Sequence, residues 1–364
     1  MIGTCERIAT CLVSAINVTP ESQTSSREGS EDAVPRGSRR LFSRGLVTVL
    51  VATGGLVLVS YLVAPSSLDR GTLLTMLPFA SALAIAALGQ TLVVMQGGID
   101  ISIAGGLSLY VVIVTKYPAG VNGRLLPAIG IAFLAAIVAG LLNGFLVGRM
   151  RLNPIVATLG TNALLFGAVL WYSAGIPTTT TTRLAKVGGG VWLGIPIPVY
   201  IAVLTTAIVT VIVKLTPFGR RFEGVGANPT TAFTAGIRTR RYRGGAYLYA
   251  QLLYCLAAVI HASIVNQPTA YEGNNSNYLL VTLAAVVLGG TSLLGGRGNL
   301  VATAIAALFL SQLDQFVLAL GVSYATRTLV QAAALAVGVA LYTIDWRRLG
   351  RRFLGRRSTS LAPA

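Results

Sequence analysis

The sequence predicts an all-α integral membrane protein of about ten transmembrane helices with both termini inside. Three observations carry that prediction. Hydrophobic residues make up 54% of the 364 and charged residues 11%, with a mean hydropathy of +0.73. A soluble chain needs charge on roughly a quarter of its residues, so much of this surface must face something other than water. Apolar runs close to the about 20 residues that cross a hydrocarbon core recur from residue 45 onward. The 28 Lys and Arg, against 11 Asp and Glu, cluster between those runs. That distribution sets orientation in a bilayer. A nucleic-acid surface would instead interleave arginines with aromatics, and no nucleic-acid partner is expected.

Residues 1–44 stand apart. Glu21 to Arg44 is rich in Ser, Gly, Pro and mixed charge without an apolar face, which predicts a disordered tail. The apolar stretch Ile8–Ile16 is too short to span, and Glu6 precedes it without a basic n-region, so a cleaved signal peptide is not expected. From residue 45 to 345 the expected spans are 45–64, 72–96, 125–148, 155–175, 192–213, 244–265, 278–293, 299–321 and 326–344, with a shorter piece at 101–115. Helices are indicated because no run alternates with period two, and in lipid each backbone group must bond within its own segment. Ten alternating spans with the N-terminus inside put 22 of the 28 Lys and Arg on the inner side. That bias makes the tail at 1–44 and the basic tail at 346–364 both cytoplasmic.

The three cysteines, Cys5, Cys11 and Cys255, are scattered and show no metal-ligand spacing. No disulfide framework, metal site or cofactor is expected. The single histidine, His261, sits near the end of an apolar run, where packing explains it better than catalysis.

The largest inner loop, 215–243, has two readings. Asn228 is a good N-cap, Pro229 suits a first helical position and Gly236 suits a helix end; together they predict a short two-turn helix at the membrane surface. The other reading is a solvated basic loop that only fixes topology. A faint internal repeat pairs Val93-Val94-Met95-Gln96-Gly97-Gly98 with Ala285-Val286-Val287-Leu288-Gly289-Gly290. Glycine-broken helices in corresponding positions of two halves are a transporter habit, although close helix packing also uses Gly pairs.

Four ordered blocks resemble the ribose-type sugar permeases of bacterial ATP-binding-cassette (ABC) importers: Gly89–Ser102 (GQTLVVMQGGIDIS), Leu152–Thr161 (LNPIVATLGT), Phe218–Ile237 (FGRR…GANPTTAFTAGI) and Leu288–Asn299 (LGGTSLLGGRGN). The likeness spans Thr72 to about Tyr342. It departs at Ala104, where the family has Gly, and at Pro229 and Thr230, where acidic residues are common. The resemblance implies a multi-pass permease in the inner or plasma membrane, importing a small polar solute, most readily a monosaccharide. It implies two permease copies, or this chain with a related permease, in membrane lipid. Cytoplasmic ABC ATPase subunits and an extracytoplasmic solute-binding protein complete the complex. It also makes the surface helix a coupling helix, with Gly226, Asn228, Ala232, Gly236 and Ile237 as its ATPase-coupling residues. The chain has no G-x-x-x-x-G-K-[ST] loop to cradle nucleotide phosphates, so hydrolysis belongs to the partner and the chain itself is not an enzyme.

Asp100 is the most informative single residue. A carboxylate in or near a bilayer is costly and marks a functional site by default. It follows two glycines, where a helix can break and expose backbone groups to a polar solute. Gln90, Gln96, Gly97, Gly98 and Ser102 join it as a candidate substrate pathway, with Asp314 as a second polar island beside Gln312 and Gln315. Asp100 capping a helix that starts at Ile101 is the alternative role, and the two are compatible. Asp314, Asn143 and Asn162 each have two readings, lining the pathway or bridging helices, and buried polar side chains commonly do the second. Glu272 and its neighbouring asparagines form an outer loop that a binding protein could touch. An ion-driven secondary transporter is the rival function. It would need a relay of membrane carboxylates or histidines, for which only Asp100 and Asp314 qualify. A membrane-embedded enzyme would need a convergent acid, base or metal cluster that this pattern does not supply.

Overall fold

The computed structural model describes residues 44–265, 268–269, 277–323, 326, 329–330 and 332–333. Among the described residues there are twelve α-helices: α1 Arg44–Val63, α2 Arg70–Met95, α3 Ile103–Lys116, α4 Leu125–Gly144, α5 Pro154–Ser173, α6 Thr182–Gly189, α7 Ile197–Leu215, α8 Pro217–Ala227, α9 Pro229–Thr234, α10 Thr239–Ile264, α11 Tyr278–Leu288 and α12 Leu300–Ala319. A two-stranded hairpin, β1 Val191–Trp192 and β2 Ile195–Pro196, precedes α7.

Helices α1, α2, α4, α5, α7, α10 and α12 are the seven long and apolar enough to cross a membrane, α4 together with the turns that flank it. They match the expected spans at 45–64, 72–96, 125–148, 155–175, 192–213, 244–265 and 299–321. The pieces at 101–115 and 278–293 form α3 and α11, of 14 and 11 residues. At 1.5 Å per residue these reach roughly 21 and 17 Å, short of the about 30 Å of hydrocarbon. The run at 326–344 falls outside the described residues except at 326, 329, 330, 332 and 333. So do the N-terminal tail up to residue 43, the C-terminal tail and Glu272 with its loop.

Two boundaries differ from expectation for local reasons. The run at 192–213 opens as a hairpin because Leu193 (φ 49°) and Gly194 (φ 82°) form the paired positive-φ turn that two-residue hairpins favour; the helix begins only after Pro196. The run at 244–265 starts earlier, at Thr239, taking Arg240 to Arg243 into the first turn of α10.

Helices α2 and α10, 26 residues each, are the centre of the bundle. Their apolar windows are 61% buried, against 11% for α1. The two pack along each other, with α4, α3 and α12 around them. Leu58, Leu62, Leu134, Val138, Leu164, Val203 and Leu204 are exposed on the outer helices. An apolar surface that broad belongs in lipid. The α4–α10 crossing is set by glycine. A Cβ on Gly144 would stand 2.7 Å from the Gly244 carbonyl oxygen, and one on Gly244 2.8 Å from that of Gly144. Small residues bring helix backbones together in this way where no hydrophobic drive separates protein from lipid.

Substituting Gly244→Leu should destabilise the solubilised protein by about 1–3 kcal/mol, the usual penalty of overpacking, read as a lower unfolding midpoint. Gly245→Leu is the control. A Cβ there meets only the Tyr249 ring, at 3.7 Å, and little change is expected.

Candidate functional site

The central helix α2 stops inside the bundle at Met95, in a defined cap. Gly97 takes a left-handed conformation (φ 73°), its N–H bonds the Val94 carbonyl at 2.9 Å, and the Gly98 N–H bonds that of Val93 at 3.2 Å. This is the Schellman arrangement, which satisfies carbonyls that a helix end leaves free. The chain then turns through Ile99–Ser102 and re-enters helix at Ile103.

Asp100 occupies that turn and is fully buried. Its Oδ1 accepts from the Ser102 N–H at 2.9 Å and from the Ser102 hydroxyl at 2.5 Å. Its Oδ2 accepts from the Gln251 side-chain amide at 3.3 Å. The same Gln251 nitrogen donates to Ser102 Oγ at 2.8 Å, and Gln251 Oε1 accepts from the Tyr110 hydroxyl at 2.7 Å. Asn143 on α4 donates to Ser102 Oγ at 2.8 Å. Gln90 lies against the Asp100 backbone and the Tyr254 hydroxyl, 2.7 Å away; with its amide assigned by the donors and acceptors around it, its oxygen accepts from the Asp100 N–H at 3.3 Å and its nitrogen donates to the Asp100 carbonyl at 3.3 Å. Helix α5 closes the other side. Thr158 Oγ1 accepts from the Ile101 N–H at 3.0 Å, and Asn162 Oδ1 accepts from the Gly105 N–H at 2.8 Å.

The capping role expected for Asp100 is therefore displaced by two residues. The helix begins at Ile103, not Ile101, and the carboxylate bonds Ser102 just ahead of it. Asn162 from α5 supplies an oxygen to the first turn of α3. The carboxylate is held by neutral donors, which a buried charge needs in place of water.

The second half repeats the cap. Gly290 has φ 78°, its N–H bonds the Val287 carbonyl at 2.9 Å, and the Thr291 N–H bonds that of Val286 at 3.2 Å. The two segments paired in the sequence thus end α2 and α11 with the same hydrogen bonds, but one residue out of the sequence register, with Gly290 rather than Gly289 matching Gly97. Asn299 then caps α12, accepting from the Ala302 N–H at 3.1 Å. The halves touch through Thr91 and Thr303, whose hydroxyls lie 3.3 Å apart.

The basic segment resolves into two helices. Thr216 caps α8, accepting from the Gly219 N–H at 3.2 Å, and Lys214 pairs with Glu223. Asn228 ends α8, its N–H bonding the Gly224 carbonyl at 3.1 Å. Its side chain opens α9, accepting from the Thr230 and Thr231 N–H groups at 3.1 Å each. Gly236 (φ 78°) closes α9, with Ile237 N–H bonding the Ala232 carbonyl at 3.0 Å. The short helix is present as expected. The α8 helix ahead of it was not anticipated, although Thr216-Pro217 is the cap-plus-proline pattern that marks a helix start.

The segments 95–98, 222–227 and 295–298 converge. The Gly296 N–H donates to the Met95 carbonyl at 2.8 Å. A Cβ on Gly226 would stand 1.9 Å from that same oxygen, and one on Gly295 2.7 Å from the Gly226 carbonyl oxygen and 3.1 Å from the Gly97 nitrogen. Gln96 Nε2 donates to the Phe222 carbonyl at 2.9 Å.

Of the candidate residues, Gln90, Asp100 and Ser102 share the buried network. Gln96, Gly97 and Gly226 lie at the convergence of the three segments. Asp314 is half-buried on α12, roughly 21 Å along the helix from its start at 1.5 Å per residue, and is apart from both groups. Sequence reasoning missed Tyr110 and the α10 set Tyr247, Gln251 and Tyr254. Their spacing of four and three puts the last three on one helix face. Gln251 in an otherwise apolar run was the available signal.

Comparison with known proteins adds three relatives and a family. A family model described as branched-chain amino acid transport system / permease component matches residues 72–339. The chain is 36% identical over 292 residues to the ribose import permease protein RbsC of Bacillus subtilis, covering 79% of this chain and 89% of that one. Over 284 residues it is 34% identical to the galactofuranose transporter permease protein YtfT of Escherichia coli K12, covering 75% and 82%. Over 303 residues it is 32% identical to the ribose import permease protein RbsC of the same strain, covering 81% and 92%. No solved structure matches the chain.

Gln251→Leu should leave Asp100 Oδ2 and the Tyr110 hydroxyl without their partners and destabilise the fold by about 2–6 kcal/mol, at about 1–3 kcal/mol for each buried group left unpaired. Tyr110→Phe removes one bond and should cost about 1 kcal/mol. Unfolding of the detergent-solubilised protein by denaturant reads both.

Proposed function

This chain belongs to the family of branched-chain amino acid transport system permease components, and we propose that the solute it carries is a monosaccharide. It is the membrane-spanning permease subunit of an ABC importer, a multi-pass protein of the cell membrane. It provides the translocation path, and a separate ATPase subunit supplies the hydrolysis. The sugar reading is carried by relatives named as ribose and galactofuranose permeases. The chemistry around the 96–102 turn supports it. Carboxamides, tyrosyl and seryl hydroxyls surround one carboxylate, a set suited to hydroxyl groups.

Ten spans with both termini inside is the topology we favour. The 22 Lys and Arg on the inner side support it. Short helices α3 and α11, each adjoining a glycine-rich turn, then count as spans that begin or end partway through the bilayer. In that frame the segment 214–243 is cytoplasmic. Two copies of the chain, or this chain with a related permease, line the path in lipid. Gln90, Gln96, Gly97, Gly98, Asp100 and Ser102 flank it, with Asp314 further along α12. The Asp100 network holds these groups against each other, and a conformational change at the turn would free them for a solute.

Helix α9 is the proposed ATPase contact. Phe233 on it is 70% exposed while Ala232 is buried, so one face meets the bundle and the other offers an apolar anchor to a groove. Gly226 and Asn228 fix the entry to the helix, and Gly236 with Ile237 the exit.

Replacing 228–236 by a flexible polar linker should leave membrane insertion intact and abolish co-purification with the ATPase subunit; survival of the complex would overturn the coupling assignment. For the pathway assignment, Asp100→Asn keeps a side-chain acceptor for Ser102 and removes the charge. Uptake of labelled sugar by vesicles carrying the full complex should fall at least tenfold, about 1.4 kcal/mol, with normal assembly. Unchanged uptake would leave Asp100 a structural residue only.

A further inference from the structure

We infer that Met95, Gln96, Gly226, Gly295 and Gly296 form a main-chain joint that transmits movement of α9 to the turn at Asp100. The inference rests on the permease reading above and adds the route by which the two ends communicate. Apart from Gly298 against the Met95 side chain, the glycine contacts at this point are made with main chain. Besides the Gly226 and Gly295 approaches, a Cβ on Gly296 would stand 2.7 Å from Ala227 Cα, and one on Gly298 2.6 Å from the Met95 sulfur. Four glycines from two distant segments thus close around one residue at the end of α2.

What such a joint does follows from what it lacks. Side chains meeting at an interface can change rotamer and absorb a displacement of a few tenths of an ångström. Peptide groups in van der Waals contact have no rotamers, and packed interiors pass strain on. The drive side is equally stiff. Asn228 ends α8 and opens α9 with no residue between them, so α9 cannot move without carrying the Gly226–Ala227 peptide. The driven side is short. Two residues beyond Met95 the chain enters the left-handed turn at Gly97, and three further on stands Asp100. Gln96 reinforces the link, since its side chain ties the turn to the Phe222 carbonyl inside α8. Gln96 is accordingly a positioning residue that acts through α8. The Gly295–Gly296 loop braces the third side through the Gly296 N–H bond to Met95, so that movement of α8 is directed along α2.

The test uses the whole complex of permease, ATPase subunits and binding protein in vesicles. Wild-type uptake is measured first. Its absence would overturn the importer reading itself and is distinct from failure of the joint. Gly226→Ala, whose Cβ must push the Met95 carbonyl away, and Gln96→Leu, which cuts the tie to Phe222, are then compared with wild type. Both should still co-purify with the ATPase subunits. The ratio of sugar imported to ATP hydrolysed should fall about tenfold, within the range of ordinary coupling free energies. Gln96→Asn and Gly226→Ser extend the series: a joint that depends on reach and on Cβ exclusion should be rescued by neither. If Gly226→Ala does not accumulate in the membrane, Gln96→Leu decides alone. A wild-type ratio in Gln96→Leu, or in an assembled Gly226→Ala, would overturn the joint.

Discussion

A helix that ends inside an apolar bundle leaves carbonyls and N–H groups that water cannot reach. Most of this architecture answers that constraint. Both α2 and α11 stop short, and each stop is closed by a left-handed glycine that returns two N–H groups to the last turn. Beyond each stop the chain needs partners from elsewhere, and side chains supply them: Gln90, Thr158 and Asn162 around the first break, Asn299 after the second. An unpaired buried amide would cost about 1–3 kcal/mol, so the polar residues buried here are as necessary to the fold as its leucines. Asp100 enters on the same terms. Its carboxylate is buried because three neutral groups, the Ser102 N–H, the Ser102 hydroxyl and the Gln251 amide, stand in for water.

The long helices were legible because their signal is length and hydropathy, which survive any arrangement of the bundle. The short surface helix was legible as well, since Asn228, Pro229 and Gly236 are a local code that needs no distant partner. The hairpin at Val191–Pro196 was hidden by its composition: Val191, Trp192, Leu193 and Ile195 are as apolar as a span, and only the pair of positive φ angles at Leu193 and Gly194 reveals the turn. The site was half legible. Gln90, Asp100 and Ser102 stood out as polar residues beside glycines. Tyr110 and Tyr254 did not, because tyrosine in an apolar run reads as core until its hydroxyl is seen paired across helices. Gln251 lies 151 residues from Asp100, and no spacing rule brings them together.

The three sequence blocks that carry the family likeness and lie farthest apart, around Gly97, Gly226 and Gly295, meet at one place. Each looked like a separate signature with a separate reason for its glycines. In the folded chain Gly226, Gly295 and Gly296 share one reason, a neighbouring main chain standing where their Cβ would be, whereas Gly97 is set by its left-handed φ. The polar network and the close-packed glycines are therefore neighbours with different duties. One pairs buried polar side chains across helices; the other brings main chains so close that a Cβ on Gly226 or Gly296 would collide.

Those different duties bear on how such a protein can change over generations. Contacts made by peptide groups are indifferent to residue chemistry so long as the residues stay small. Contacts made by Gln90, Tyr110, Gln251 and Tyr254 depend on every atom of the side chain. Substitutions on the inner face of α10 must therefore leave every buried polar group with a partner. Substitutions at the glycines have almost nowhere to go.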